Sequence, residues 1–356
     1  MSMHSLVSVE DIVTDLVKES PDRTYIDVRS ELEFNRGSIP HFINAPILYQ
    51  SERHVVGTVY KEKGQEAAIQ LGHELVDPHR DERVRHWQDA ITRSASREGV
   101  IMCWRGGLRS KIASEWTAEA GAKVYQLAGG YKALRHHLVA IFERPQPMVI
   151  LSGLTGSGKT DLLLEFKNSA VDLEGAADHR GSVFGTHWDS VPVPQAVFEH
   201  RVALQLQTPV KYRLIEDESR MIGPTAVPEG LYRQMKQSPL VVLDDDRASR
   251  VDRIWLQYIV TPLAKGIDLS RLEGHFLNAL ASLKKPLDKL YPALESEMKK
   301  AFAEGADLKS HANWIHAMLE QYYDKRYQHG LDRSARTILF RGNRADCRSF
   351  LQNLLD

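Results

Sequence analysis

Short apolar runs alternate with amphipathic stretches along the opening part of the chain. Residues 7–18 place their apolar side chains on one face at helical spacing, and residues 110–120 are also expected to form a helix. Apolar runs at residues 24–29, 99–102 and 123–127 are typical of short buried strands. Strands that alternate with helices in this way indicate a parallel α/β sheet, with its functional loops at the carboxyl ends of the strands.

The second part of the chain repeats this alternation and then becomes helical. Apolar runs at residues 148–151, 210–215 and 240–243 predict strands of a second sheet. Apolar positions then recur at helical spacing over residues 268–330, which predicts a small helical subdomain. Residues 336–355 are expected to return to one strand and a closing helix.

The segment Arg-Pro-Gln-Pro at residues 144–147 separates the two patterns. Its prolines interrupt regular structure, so the segment is predicted to be a linker. We therefore expect an N-terminal domain over residues 1–143 and a C-terminal domain over residues 148–356. The predicted fold class is α/β, with one parallel-sheet domain on each side of the linker.

Composition restricts the class of protein. The chain has 356 residues, 42% of them hydrophobic, and a net charge of −1, values typical of a globular two-domain protein. Two cysteines, Cys103 and Cys347, cannot form a disulfide framework, so a reducing cytoplasm is expected. The first 20 residues lack the pattern of a signal peptide, and no apolar run approaches the roughly 20 residues that span a bilayer. We therefore expect no membrane partner.

A cysteine opens the loop that follows the predicted strand at residues 99–102. Glycines and arginines beside it would let the backbone curl around an anion and stabilise a thiolate, so we predict that Cys103 is a nucleophile. The alternative is a buried structural cysteine, the role that we expect for Cys347. The predicted anion-binding residues of the loop are Trp104, Arg105, Gly106, Gly107, Leu108, Arg109 and Ser110.

A second loop has the phosphate-binding pattern G-x-x-x-x-G-K-[ST] between a predicted strand and a predicted helix. Its backbone N–H groups are expected to surround a diphosphate, with Lys159 at the outer oxygens and Thr160 as a candidate Mg²⁺ ligand. The C-terminal domain is therefore predicted to be P-loop NTPase-like. The predicted diphosphate-binding residues are Gly153, Leu154, Thr155, Gly156, Ser157, Gly158, Lys159 and Thr160.

Two other segments are candidates for the same site. The acidic end of the strand at residues 210–215 is favoured over the Asp244 triplet as a place for Mg²⁺, since the triplet is typical of a solvated loop. The glycine-bracketed loop from residue 179 suits an anionic ligand, although a plain polar connection explains it equally well. The candidate residues are His179, Arg180, Gly181, Ser182, Glu216, Asp217, Glu218, Ser219 and Arg220.

Basic residues are concentrated near the C-terminus, with three tyrosines close by in the sequence. This composition predicts either a nucleic-acid surface or a charged helix face. The basic residues are Lys325, Arg326, Arg333, Arg336, Arg341, Arg344 and Arg348, and the tyrosines are Tyr322, Tyr323 and Tyr327.

The N-terminal domain resembles a rhodanese domain. The residues that carry the resemblance are Asp27-Val28-Arg29 with Glu31 and Phe34, residues 37–40, the cysteine loop and residues 127–130. The resemblance implies that Cys103 receives sulfur or selenium. Arg109, however, follows Cys103 by six residues rather than the usual five, as in rhodanese-like phosphatases, and the larger loop argues against plain thiosulfate chemistry. Residues 50–87 are extra sequence, either an insertion near the site or a solvated helical flank.

A rhodanese-like domain followed by a phosphate loop is similar to the tRNA 2-selenouridine synthase family. Further strings that carry this resemblance lie at residues 52–58, 179–182 and 218–223. The resemblance implies a tRNA substrate in which selenium replaces sulfur in wobble 2-thiouridine. Selenophosphate is the expected selenium donor, and geranyl diphosphate is expected to prenylate the sulfur first. It implies no tightly bound cofactor, and the sequence does not predict the oligomeric state.

Two alternatives remain open at this stage. One is a P-loop ATPase or kinase with a regulatory rhodanese domain, for which hydrolysis would depend on Lys159. The other is a rhodanese-like phosphatase that uses Cys103 and Arg109.

Overall fold

The computed structural model describes residues 5–185, 191–332 and 335–356. The chain forms two compact units. The first contains Met1–Glu143 and Pro194–Thr208, and the second contains Arg144–Val193 and Pro209–Asp356. Among the described residues, no helix combines the length and the apolar character that crossing a membrane requires.

The first unit is a five-stranded parallel sheet with helices between the strands. Its strand order is β1-β5-β4-β2-β3. The elements are β1 (Ser5–Val7), α1 (Val9–Leu16), β2 (Thr24–Asp27), α2 (Glu31–Asn35), β3 (Phe42–Asn44), α3 (Gln50–Lys63), α4 (Gln65–Val76), α5 (Arg80–Thr92), β4 (Glu98–Met102), α6 (Leu108–Glu119), β5 (Lys123–Leu127) and α7 (Gly130–Val139).

The cysteine loop follows the central strand of this sheet. Strand β4 lies between β5 and β2, and the side chains of Val100, Ile101 and Met102 are fully buried. The predicted strand at residues 123–127 is confirmed, whereas the predicted first helix begins only at Val9. The residues before it form the edge strand β1, because Leu6 and Val7 pair in parallel with β5.

Helices α3, α4 and α5 occupy the extra sequence at residues 50–87. Helix α3 contains no buried residue, so its own side chains contribute little to the core. It is held instead by the buried guanidinium of Arg83 in α5, which donates to both carboxylate oxygens of Glu52 at 2.8 Å. The ion pair therefore anchors α3 to α5, and α5 itself packs into the core through Val84, Trp87 and Ile91.

The second unit is another five-stranded parallel sheet, with the order β12-β11-β6-β8-β7. Its sheet elements and their helices are β6 (Met148–Gly153), α8 (Lys159–Leu163), β7 (Ala170–Val171), α9 (Leu173–Ala177), β8 (Arg213–Glu216), β9 (Met221–Ile222), β10 (Thr225–Ala226), α11 (Glu229–Gln237), β11 (Leu240–Leu243), β12 (Ile338–Gly342) and α19 (Arg344–Leu355). Helix α10 is Gln195–Gln205, and α12 to α18 are given below.

The strand before the phosphate loop is again central. Strand β6 pairs in parallel with β11 on one side and β8 on the other, and all six of its residues are buried. The helix after the loop, which the sequence predicts over residues 161–167, ends earlier than predicted. Helix α8 ends at Leu163, and a 3-10 turn over Leu164–Phe166 replaces the rest of the expected helix before β7 begins.

The predicted helical subdomain has its own apolar core, centred on Phe276 and Trp314. Its core also includes Val251 and Ile259, so the helical layer begins earlier than the predicted residue 268. The helices are α12 (Arg247–Trp255), α13 (Thr261–Ala264), α14 (Leu269–Ser282), α15 (Lys284–Leu287), α16 (Tyr291–Glu304), α17 (Leu308–Met318) and α18 (Asp324–Asp332), with π-helical turns at Leu256–Val260 and Leu319–Tyr323.

One segment of the predicted C-terminal domain belongs to the first unit instead. Helix α10 lies in Pro194–Thr208, which the structure groups with the N-terminal residues. Its His200 Nδ1 lies 2.9 Å from the carbonyl oxygen of Ser38, and Arg135 of α7 donates to Glu199 at 2.6 Å. These long-range polar contacts hold α10 in the first unit, although the residues before and after it in the sequence belong to the second unit.

A buried ion pair supports the end of β2. The Arg29 and Asp27 side chains are fully buried, and the guanidinium donates to both carboxylate oxygens at 2.6–3.0 Å. Burial raises the pKa of Asp27, although Arg29 acts to lower it. Arg29 also donates to the carbonyl oxygen of Gly37 and lies 3.8 Å from the ring centre of Tyr131.

We expect Asp27→Asn to destabilise the first unit by about 3–5 kcal/mol, because it leaves the Arg29 charge buried without a counter-charge. Hydrogen exchange of the β2 amides, followed by mass spectrometry, reports the opening of this unit separately from the other. The matched control is Asp22→Asn, which breaks only the exposed ion pair of Asp22 with Lys18. Equal exchange in the two variants would contradict a structural role for the buried pair.

Candidate active sites

Cys103 lies directly after β4 with its thiol inside the unit. Its residue is 3% exposed, and its Sγ lies 3.2 Å from the Ser110 hydroxyl oxygen. The backbone turns sharply at Gly106, which has a φ of 62°, and a Cβ there would lie 2.7 Å from the carbonyl oxygen of Leu127. The turn therefore requires glycine. The N–H of Tyr131 donates to the Cys103 carbonyl at 2.9 Å and fixes the loop from the other side.

Gln126 was not predicted to be part of this site. Its side-chain amide donates to the carbonyl oxygen of Gly106 at 2.7 Å and to the hydroxyl of Ser110 at 3.0 Å. The same amide lies 3.4 Å from the carbonyl of Gly107. Gln126 thus ties the carbonyls of Gly106 and Gly107 to β5, and the Cys103 thiol lies 4.0 Å from the Gly107 carbonyl oxygen.

Arg109 is held by a carboxylate that the sequence analysis did not assign. Its guanidinium donates to Glu33 at 2.7 Å and 3.3 Å. Burial would raise the pKa of Glu33, but the hydrogen bond and charge of Arg109 outweigh it and the pKa is lowered. Burial likewise acts to lower the pKa of Arg109, but Glu33 outweighs it and the pKa is raised. Both groups are therefore charged, and Glu33 orients Arg109 at the rim of the loop.

The other side chains of the loop differ in exposure. Trp104 is 41% exposed and packs against Tyr131, with ring centres 5.1 Å apart. Arg105 and Leu108 are exposed at the surface of the loop. Arg105 is thus placed to meet an anion that approaches from solvent, whereas Trp104 forms part of the wall.

The phosphate loop has the backbone that its sequence pattern predicts. Gly156 and Gly158 have φ values of 80° and 83°, where other residues would be strained. Lys159 Nζ donates to the carbonyl of Gly153 at 3.0 Å, so its ammonium group lies over the loop. Ser157 is 1% exposed, and its backbone N–H donates to the carbonyl of Leu154 at 3.1 Å.

Three arginines that the sequence analysis did not assign to the site donate to carbonyl oxygens of this loop. The pairs are Arg250 with Thr155 at 2.9 Å, Arg253 with Gly156, and Arg344 with Gly158 at 3.4 Å. Their guanidinium groups are themselves held by carboxylates, as in the contact of 2.5 Å between Arg250 and Asp324. The carbonyls are therefore turned away from the centre of the loop, where an anion would bind.

Three carboxylates meet beside the phosphate loop. Ligand oxygens of Glu174, Glu216 and Glu218 lie within 4.8 Å of one another, and the Thr160 hydroxyl lies 2.8 Å from Glu216 and 3.1 Å from Glu174. Burial and then Glu218 raise the pKa of Glu174 to about 7, and burial and then Glu174 raise the pKa of Glu216 well above its ordinary value. Burial also raises the pKa of Glu218, although Lys159 opposes it.

This cluster could hold a divalent cation. One carboxylate oxygen of Glu216, Oε1, is buried and has no hydrogen-bond partner. Three carboxylates around a threonine hydroxyl are the hard oxygen donors that Mg²⁺ prefers. Burial is the main cause that raises the three pKa values and neighbouring carboxylates add to it, and a bound cation would offset both. The residues present therefore fit the ion. Glu174 was not among the predicted site residues.

Asp217 has a different role from its two acidic neighbours. Arg336 donates to both of its carboxylate oxygens at 2.9–3.0 Å, and Lys236 and Ser152 donate at 3.1 Å and 2.7 Å. Burial would raise its pKa, but Arg336 and Lys236 outweigh it and lower the pKa to about 2. Asp217 is therefore a structural anchor, occupied by cationic partners.

Ser219 and Arg220 lie on an exposed turn. The Ser219 hydroxyl donates to the carbonyl of Met221 at 2.6 Å, and Arg220 pairs with Glu229 at 2.9 Å. These contacts stabilise the turn before the β9–β10 hairpin and leave both side chains outside the carboxylate cluster.

The loop from His179 packs against the carboxylate cluster. A Cβ at Gly181, where φ is 64°, would lie 2.7 Å from Glu174 Oε1 and 2.8 Å from Glu218 Oε2. A Cβ at Gly223 would lie 2.6 Å from the ring of His179. Both glycines thus permit close approach of backbone to the site.

Arg180 and Ser182 continue this loop toward Tyr258. Arg180 donates to the carbonyl of Gln257 at 2.7 Å and lies 5.0 Å from the Tyr258 ring centre. The hydroxyls of Ser182 and Tyr258 are 3.1 Å apart. Both residues line the cavity of the phosphate loop, which has a volume of about 290 Å³.

The Asp244 triplet lies in a loop, as predicted, and Asp244 and Asp246 are exposed, but two of its members also have structural contacts. Asp245 pairs with Arg253 at 2.8 Å and thereby orients one of the arginines of the phosphate loop. Asp246 is the N-cap of α12 and accepts from the Ser249 N–H at 2.9 Å.

Several of the C-terminal basic residues are engaged within the second unit. Arg336 pairs with Asp217, and Arg344 and Arg348 both pair with Glu165 at 2.7–2.8 Å. Lys325 and Arg326 are exposed, whereas Arg333 lies outside the described residues. The charge available for a nucleic acid is thus smaller than the sequence indicates.

Comparisons with known proteins match both halves of the chain. A family model described as the AAA domain of tRNA 2-selenouridine synthase matches residues 146–355, and a rhodanese-like domain model matches residues 11–137. A tRNA 2-selenouridine synthase of Shewanella oneidensis is 38% identical, and the match covers 92% of each chain. A second, from Shewanella denitrificans, is 40% identical over 93% of this chain and 95% of its own. The predicted fold class is confirmed.

The two cysteines should differ in reactivity. Cys103 lines a cavity, whereas Cys347 is fully buried and burial raises its pKa to about 11. We expect iodoacetamide to label Cys103 but not Cys347 in the native protein at neutral pH, as measured by peptide mass spectrometry. Labelling in urea is the control, where both cysteines should react. Comparable native labelling of both would contradict the assigned environments.

The carboxylate cluster should make stability depend on pH. A carboxyl whose pKa is raised in the folded state binds its proton more tightly there, so stability is lost as the pH rises from the unfolded pKa through the folded pKa. We therefore expect Glu174→Gln to gain thermal stability relative to the parent protein between about pH 5 and pH 8. Thermal unfolding in a chelating buffer measures this difference. A difference that stays constant over this range would contradict the raised pKa.

Proposed function

This chain belongs to the tRNA 2-selenouridine synthase family, and from that premise we propose that it replaces sulfur by selenium in the wobble 2-thiouridine of tRNA. The observation that carries the proposal is the presence in one chain of two loops whose side chains suit an anion. One has a cysteine with an oriented arginine, and the other has a lysine beside a carboxylate cluster. Each loop suits one of two successive steps.

In the first step, the thiocarbonyl sulfur attacks C1 of geranyl diphosphate. The C1–O bond breaks, diphosphate leaves, and N3 of the base loses its proton. The phosphate loop would bind the leaving diphosphate through its N–H groups, with Lys159 neutralising charge. When Mg²⁺ is bound, it supplies further charge neutralisation for the leaving group. Thr160, Glu174, Glu216 and Glu218 would hold that ion.

An apolar recess beside the phosphate loop supports a prenyl diphosphate as the ligand. It begins at Thr155, and its volume of about 40 Å³ has room only for the first carbons of the chain. Phe184, Phe276 and Trp314 are among the side chains that line it. An allylic carbon next to the diphosphate would thus meet aromatic walls, which stabilise a developing positive charge at that carbon.

In the second step, the cysteine loop receives selenophosphate. Its phosphoryl oxygens would meet Arg105, Arg109 and the loop N–H groups. Attack of the Cys103 thiolate on phosphorus breaks the P–Se bond and releases hydrogen selenide ion beside the base. Selenium then attacks C2, the C2–S bond breaks, and geranyl thiol leaves with a proton. Water hydrolyses the thiophosphate at Cys103, so no external oxidant is required.

The loop length supports this route. An arginine six residues after the cysteine leaves room for a tetrahedral phosphoryl group. The free thiols of Cys103 and Cys347 fit a reducing cytoplasm, where tRNA is also present.

Mass spectrometry of nucleosides from 2-thiouridine tRNA tests the proposal. The parent protein should form geranylated thiouridine from geranyl diphosphate and convert it to selenouridine when selenophosphate is added. Lys159→Ala should abolish the prenylated product, whereas Cys103→Ala should let it accumulate because only the second step is blocked.

Cys347→Ala is the matched control and should support both steps. Normal selenouridine formation by Cys103→Ala would refute the role of that thiol. An unchanged tRNA in every reaction, together with ATP hydrolysis that depends on Lys159, would support an ATPase or kinase instead.

A further inference from the structure

A large cavity adjoins the Cys103 thiol within the first unit. Its volume is about 650 Å³, more than twice that of the cavity at the phosphate loop. The cysteine loop and α6 form one wall, and α3 and α4 form the other. The apolar side chains that line it include Ile47, Leu48, Val56, Ile69, Ile112 and Trp116.

The cavity is built into the fold by the extra helices. Helix α3 buries none of its residues, and α4 buries only Ala68 and Val76. The Arg83–Glu52 ion pair nevertheless fixes α3 in place. Two helices are thus held above the cysteine loop with apolar side chains directed at a hollow instead of a filled core. Such a preformed apolar cavity is typical of a ligand site.

The rim of the cavity has a different character from its walls. Four lining residues, Arg53, Lys61, Arg105 and Arg109, are cationic against one acidic lining residue, Asp77, and Glu33 pairs with Arg53 and Arg109. An apolar interior under a cationic rim suits a ligand that has a hydrocarbon part attached to a phosphate-bearing part.

From this arrangement we propose that the cavity binds the prenyl chain of the S-prenylated nucleoside during selenium transfer. This inference rests on the proposed function and adds a second prenyl site to it, apart from the recess at the phosphate loop. A cavity of roughly 150 Å³ already accepts benzene, so about 650 Å³ leaves ample space for a ten-carbon chain. The chain would enter between α3 and α6 and bring the C–S bond to Cys103.

The proposal gives the prenyl group a role beyond that of a leaving group. Each methylene that is buried adds to the affinity, so a long chain would bind far more tightly than a methyl group at the same sulfur. The cavity would thus admit prenylated tRNA to the selenium site and exclude unmodified 2-thiouridine. The proposal adds binding of the prenyl chain and no bond change beyond those of the second step.

Protection of Cys103 from iodoacetamide tests the proposal without requiring catalysis. The probes are the nucleosides S-geranyl-2-thiouridine and S-methyl-2-thiouridine. We expect the geranyl nucleoside to protect Cys103 at concentrations at least about tenfold lower than the methyl nucleoside. Val56→Trp and Ile69→Trp, which fill the cavity from α3 and from α4, should each weaken protection by the geranyl nucleoside about tenfold.

Val55→Trp is the matched control, because Val55 is adjacent in the same helix but 48% exposed and outside the cavity lining. In this variant, the geranyl nucleoside should protect Cys103 as well as it does in the parent protein. Far-UV circular dichroism and the resistance of Cys347 to labelling verify that each variant is folded. Equal protection by the two nucleosides, or full protection of both filled variants, would overturn the proposal.

The protection assay and the tRNA assay can fail independently of each other. If the tRNA assay fails but the geranyl nucleoside protects Cys103 selectively, the cavity is an apolar ligand site and the assigned reaction is wrong. If the tRNA assay succeeds without selective protection, the reaction stands and the cavity assignment is wrong.

Discussion

Both candidate sites depend on the same physical constraint, which is the direction of backbone carbonyls in a tight loop. A loop that binds an anion must present N–H groups and turn its C=O groups elsewhere, and those carbonyls still need donors. Gln126 supplies the donor in the first unit, and Arg250, Arg253 and Arg344 supply donors in the second. The glycines permit the required turns, but these side chains determine which way the peptide groups face.

Because of this constraint, the conformation of each loop depends on elements elsewhere in its unit. Gln126 reaches the cysteine loop only because β5 pairs with β4, and the arginines reach the phosphate loop from α12 and α19. A strand or helix far away in the sequence thus sets the electrostatics of each loop. The loops are preorganised before a ligand binds, so binding does not have to supply the cost of orienting dipoles.

Local patterns predicted the parts of the structure that are determined locally. The strands at residues 123–127 and 240–243 are short apolar runs between breakers, and the structure has them at the same bounds. Patterns of this kind contain no information on which distant side chain meets a loop, so Glu33, Gln126 and Glu174 were not found. Helix α10 was assigned to the wrong unit for the same reason, since contacts of His200 and Glu199 decide its location.

The two sites differ in charge, as expected if each binds a different anionic substrate. The phosphate loop is bordered by three carboxylates, of which Glu216 is fully buried, and a bound cation would offset their charge. The cysteine loop is bordered by Arg105 and Arg109 with an apolar cavity behind them. An anion can bind there without a metal ion, next to a hydrocarbon. Under the proposed function, the diphosphate would bind beside the carboxylate cluster together with a cation, and the phosphoryl donor would bind between the arginines of the cysteine loop.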